Sequence, residues 1–79
     1  MRPINVGLLG LGTVGGGTFN VLNQNAKELS RRAGRDIVVS HAAAKEYDPK
    51  SLDGIDRVDI LNDPFDLVKN SNVDIVVEL

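Results

Sequence analysis

Val6-Gly7-Leu8-Leu9-Gly10-Leu11-Gly12-Thr13-Val14-Gly15-Gly16-Gly17 decides the fold. The run from Ile4 to Leu9 is short and apolar, the length of a buried strand. It passes into Gly10-x-Gly12-x-x-Gly15, and a segment with helical spacing follows. Strand, G-x-G-x-x-G turn and helix, in that order, mark the start of a dinucleotide-binding βαβ unit. Gly10 serves the tight turn out of the strand, Gly12 the approach of a pyrophosphate, and Gly15 the close packing of helix on strand. The N–H groups at the helix start, with the positive end of the helix dipole, make an anion site. The competing reading is a glycine turn with a structural role alone. No Gly-Lys-Ser/Thr follows, which excludes a Walker-type phosphate loop.

Outward from this turn the pattern alternates strand and helix. A first helix is expected from about Thr13 to Arg32, with Val14, Thr18, Val21, Leu22 and Leu29 on one face. Gly34 follows as the residue that ends it. Gly16 and Gly17 are costly inside a helix, which points to a close approach there by a strand or a ligand. Strand two is expected over Asp36 to Ala44 and ends in Ala42-Ala43-Ala44-Lys45. A loop with at most one helical turn covers residues 50–56, and strand three covers Val58 to Leu61. Asn62-Asp63-Pro64 provides a cap and a first-turn proline for a short helix from Pro64 to Lys69, with Phe65 and Val68 turned to the core. Strand four is Asp74 to Leu79. The connection rules predict right-handed crossovers and a parallel α/β sheet; the expected order is 3-2-1-4, of Rossmann type. Residues 1–79 read as the first, partial half of a doubly wound NAD(P)-binding domain, with the second half and a substrate domain lying elsewhere.

Composition narrows the rest. The chain has 79 residues, no Cys and a net charge of −2, which leaves neither a disulfide framework nor a thiolate metal site. No basic cluster with interleaved aromatics suggests nucleic acid, and no stretch approaches a membrane span. A cytoplasmic location fits.

Asn5 to Thr18, Asn25-Ala26, Arg31-Arg32-Ala33-Gly34, Ala42-Ala43-Ala44-Lys45, Asp63-Pro64-Phe65 and Asp74 to Leu79 together resemble the opening of the homoserine dehydrogenases. The tripled glycine after Thr13-Val14 is the most discriminating part. The resemblance implies NAD(P)-dependent interconversion of L-homoserine and L-aspartate 4-semialdehyde, in threonine, methionine and isoleucine biosynthesis. It implies a small-molecule substrate and a homo-oligomer. It implies that Leu11, Gly12, Thr13, Val14 and Gly15 contact the cofactor's phosphates and ribose. The family's catalytic residues lie in a later domain, so no catalytic residue is expected here, and the 79-residue chain alone is expected to be inactive. Two alternatives stay open: another Rossmann NAD(P)-dependent dehydrogenase or reductase, and a non-catalytic NAD-binding regulatory module.

Cofactor choice turns on Lys45. In NAD-selective folds an acid ends strand two and binds the adenosine ribose; here a cation stands there, suited to a 2′-phosphate. NADP is therefore expected in preference to NAD. Asp36 has the nominal spacing for the ribose acid but precedes strand two, at the wrong end of the sheet. Glu78 divides between a crevice-lining role and simple exposure. His41 reads as a packed or edge histidine, Tyr47 as a surface tyrosine, and no group of ligands suggests a metal.

Overall fold

The computed structural model describes residues 2–78, apart from the side chains of Thr13 and Val14. The elements in chain order are β1 (Ile4–Leu9), α1 (Thr13–Gln24), α2 (Ala26–Ala33), β2 (Ile37–Ala43), β3 (Asp59–Leu61), α3 (Pro64–Lys69) and β4 (Ile75–Glu78). The four strands form one parallel sheet in the expected order, β3-β2-β1-β4. β1 has the expected bounds; β2 is a residue shorter at each end, β3 and β4 each begin one residue later than expected, and Leu79 lies outside the described residues.

The single long helix expected over Thr13 to Arg32 is instead two. Asn25 interrupts it with φ −102° and ψ 10°. Its side-chain Nδ2 donates to the Val21 carbonyl at 2.8 Å, the acceptor its own N–H also uses at 3.1 Å. That local competition is what makes asparagine a poor helix-interior residue. The chain ends α2 at Gly34, whose φ of 74° only glycine adopts without strain.

The buried face of α1 is also rotated from expectation. Phe19 is 2% exposed while Val21 is 58% exposed. The inward stripe runs through Gly15, Gly16, Phe19 and Leu22, and its glycines carry no apolar signal. Phe19, Leu8, Leu11 and Ala42 join Leu52, Ile55 and Val58 in one core between α1 and the sheet. Burying a side chain such as Phe19 or Leu8 contributes roughly 1.5–3 kcal/mol.

On the opposite face α3 packs by Leu67, which is fully buried, and not by Phe65 or Val68, which are 70% and 60% exposed. The cap does form as predicted: the Asp63 carboxylate accepts from the Phe65 N–H at 2.9 Å, with Pro64 in the first turn. Gly7 is what lets α3 approach. A Cβ there would stand 2.8 Å from Leu67 Cδ1 and 3.1 Å from Val73 Cγ1.

The connection from β2 to β3 holds two short 3₁₀ turns, Pro49–Ser51 and Ile55–Arg57, where at most one helical turn was expected. The β1–β2 register slips between Val6 and Gly7: Val6 pairs with Val39 and Gly7 with His41, and Ser40 is skipped. At the amino end of β4, the Asp74 carboxylate accepts from the Asn5 N–H at 2.8 Å and pairs with the Arg2 guanidinium. The Asn5 N–H and Arg2 hold that carboxyl below its ordinary value of 3.8.

Candidate dinucleotide site

Parallel pairing brings the carboxyl ends of the strands to one rim: Leu9 lies beside Ala43 and Glu78, and Ala43 beside Leu61. Ligands of open α/β sheets bind at that rim. β1 leaves the sheet through Gly10 at φ 104°, a value open to glycine and strained for other residues. The Gly10 N–H donates to the Ala43 carbonyl at 2.8 Å, which ties the turn to β2. Its part is therefore the shape of the turn. Leu11 then anchors the turn in the core at 4% exposure.

Gly12 is the N-cap of α1, with φ −69° and no side-chain cap. A helix start normally recruits Ser, Thr, Asp or Asn for that job. The first intrahelical bond recorded at this end runs from the Gly16 N–H to the Gly12 carbonyl at 2.7 Å. Residues 13–15 therefore bring N–H groups to the rim without intrahelical acceptors. No acidic residue stands in the first turn to compete for them.

The glycines of the turn separate by cause. Gly10 is required by its φ. Gly16 is a packing notch, since a Cβ would meet Leu52 Cδ2 at 3.1 Å and the Leu11 carbonyl at 3.4 Å. Gly15 is buried. Gly12 has neither reason: its φ is ordinary, it is exposed, and nothing lies within 4 Å of an added Cβ. Gly17 is likewise open.

Two hollows flank the turn. One of about 240 Å³ lies between Gly10, Ala44, Lys45 and Pro64 at the strand ends. The other, about 430 Å³, runs from Gly12 over Gly17 and Asn20 to Tyr47 and Asp48. A wider depression of about 720 Å³ lies at the other end of the sheet, against Lys27, Arg31 and Asp36. It is an open surface, remote from the strand ends. Lys45 thus lines the rim beside the glycine turn, exposed, as the sequence places it.

Asp36 lies at the amino end of β2, where its carbonyl accepts from the Ile4 N–H at 2.7 Å. Glu78 is exposed at the carboxyl end of β4. His41 is buried at 8% exposure, with Nδ1 2.7 Å from Ser40 Oγ and Nε2 3.6 Å from Asp59 Oδ2 on β3. This acidic neighbour comes across the sheet, where no chain spacing reveals it. Tyr47 is half-buried against the core and not merely at the surface. Among the described residues no group of three His, Cys, Asp or Glu could hold a metal ion, and no helix is long and apolar enough to cross a membrane.

No family model matches the chain. Over all 79 residues it is 53% identical to a homoserine dehydrogenase of Pseudomonas aeruginosa and 49% identical to one of Neisseria gonorrhoeae. The chain matches the N-terminal part of the homoserine dehydrogenases. Solved structures agree. The homoserine dehydrogenase of Thiobacillus denitrificans superposes with a TM-score of 0.75 at 50% identity, covering 99% of this chain and 18% of that one. The S. aureus homoserine dehydrogenase gives 0.79 at 29% identity, covering 99% of this chain and 20% of that one. The chain spans 18% of the length of the Pseudomonas and Neisseria homoserine dehydrogenases. The homoserine dehydrogenase relatives are oxidoreductases, and the Rossmann-like sheet is the fold they share with this chain.

Proposed function

We propose that this chain is the dinucleotide-binding N-terminal segment of a homoserine dehydrogenase that takes NADP in preference to NAD. The enzyme interconverts L-homoserine and L-aspartate 4-semialdehyde, a step in threonine, methionine and isoleucine biosynthesis. The observation that carries the reading is the bare, uncapped helix start at Gly12. Neither backbone strain nor packing accounts for a glycine there, and a ligand approaching the helix N-terminus does. Lys45 on the same rim adds the cation that a 2′-phosphate requires.

The bound dinucleotide supplies the hydride chemistry. The chain's own part is binding and orientation. Gly10 shapes the turn, Leu11 fixes it to the core, and Gly12 leaves room for the pyrophosphate. The backbone N–H groups of Thr13, Val14 and Gly15 hold the phosphates. The Lys45 ammonium meets the 2′-phosphate as a point charge. Residues 1–79 are then the first part of the nucleotide-binding domain, and the groups that bind substrate and move its proton belong to the rest of the enzyme. A cytoplasmic location and a homo-oligomeric assembly belong to the same reading.

The test is turnover. The full-length enzyme is expected to reduce aspartate 4-semialdehyde with NADPH, and the 79-residue chain alone is expected to show no activity above background. No turnover by the full-length enzyme with either cofactor would refute the assignment. Sustained turnover by the 79-residue chain would refute the division of labour.

A further inference from the structure

α1 carries two asparagines, Asn20 and Asn23, on the side facing the β2–β3 connection. Asn20 Nδ2 donates to the Ser51 carbonyl at 3.1 Å, and Asn23 Nδ2 donates to the Asp53 carbonyl at 2.9 Å. Between those carbonyls Leu52, 4% exposed, fills the notch left by Gly16. Asparagine is a weak helix former, so α1 gives up helix propensity twice to hold this connection.

The contacts continue toward the rim. The Asp48 carboxylate accepts from the Lys50 N–H at 3.0 Å, and the Asp48 carbonyl accepts from Ser51 Oγ at 2.9 Å. Tyr47, next in line, packs on the core. Lys45 is two residues away. The helix that anchors this connection is the same helix whose start, at Gly12, offers the N–H groups. One helix therefore sets the distance between the anion site and the segment that bears Lys45.

We propose that Asn20 and Asn23 are positioning residues for cofactor selection, holding the Lys45–Asp48 segment against the start of α1 so that Lys45 meets a 2′-phosphate. The inference rests on the reading of Lys45 given above. It assigns the asparagines no contact with the cofactor.

The experiment is a double-mutant cycle in the intact enzyme, with an Asn20→Ala/Asn23→Ala variant, Lys45→Met, and the combination. Dissociation constants for NADPH and NADH are measured for each by titration. The asparagine variant is expected to lose NADPH affinity roughly threefold to tenfold, the range of one net hydrogen bond, with NADH nearly unchanged. That selective loss disappears when Lys45 is already Met. Limited trypsin digestion without cofactor gives an independent readout: cleavage after Lys50 quickens in the asparagine variant. If Lys45→Met changes the NADPH-to-NADH ratio and the asparagine variant does not, the positioning role is overturned and the Lys45 reading stands. If Lys45→Met leaves the ratio unchanged, the underlying reading falls and this inference falls with it. Equal loss of both cofactors in the asparagine variant overturns the inference as well, since the asparagines then serve only the fold.

Discussion

Gly12→Val in the full-length enzyme should remove cofactor binding while leaving the fold intact. The structural cost is small. The φ of −69° suits any L-residue, and no atom lies within 4 Å of the added Cβ. Valine is a poorer N-cap than glycine, which costs about 1 kcal/mol or less. The binding cost is large. The branched side chain would stand at the helix start, in front of the N–H groups left without acceptors. Losing two charge-assisted hydrogen bonds at about 1.5–3 kcal/mol each removes about 3–6 kcal/mol. That is a weakening of about 10²- to 10⁴-fold in Kd. Calorimetric titration with NADPH should show no heat at ordinary concentrations, while circular dichroism and the melting temperature stay near those of the parent. Gly16→Ala is the control, because its Cβ meets Leu52 and the Leu11 carbonyl. It should lower the melting temperature first. Unchanged NADPH affinity in Gly12→Val would show that the turn is structural and would refute the reasoning.

Lys45→Asp should lower NADPH affinity and leave NADH affinity nearly unchanged, from a parent preference of roughly tenfold set by one charge-assisted contact; titrations at two salt concentrations check it, and equal loss of both cofactors counts against a 2′-phosphate contact. Asp74, whose carboxyl is held below its ordinary value by the Asn5 N–H and Arg2, contributes stability that is present above the unfolded value of 3.8 and is lost as pH falls through the lower folded value. Urea unfolding from pH 5 downward should therefore show an acid loss that Asp74→Asn flattens, and parallel curves for the two proteins would refute the role. The 79-residue chain by itself should self-associate through β4, an edge strand with Ile75 and Val76 exposed. Light scattering at rising concentration reads this out, and a monodisperse species at high concentration would count against it.

Much of this was legible in the residues. The strand order is that of the doubly wound fold which the glycine turn marks, and the α3 cap follows from Asp63-Pro64. Gly34 as helix terminator needed only the positive φ that glycine allows. What escaped has a physical reason in each case. Apolar periodicity misplaces the inward face of α1 because two of its members, Gly15 and Gly16, have no side chain to register as apolar. Phe65 and Val68 look like core, but a six-residue helix buries one narrow stripe, and Leu67 occupies it. Asn25 breaks the helix through a side-chain bond to the Val21 carbonyl one turn back, which periodicity does not see. At the site, the glycine turn and Lys45 are local in sequence and could be named. The Asn20 and Asn23 bonds span 31 and 30 residues, and no spacing rule reaches that far.

The clasp of Arg2, Asn5 and Asp74 also orders events in time. Its bonds join residues 72 and 69 apart, so each closes a long loop. Closing so long a loop is entropically costly before its contacts form, and such non-local pairings slow folding. The helices and the β1–β2 pair close shorter loops. Of the four described strands, β4 is then expected to dock last, its clasp latching the three already paired. Loosening the latch in Asp74→Asn should accelerate unfolding and leave the folding rate nearly unchanged.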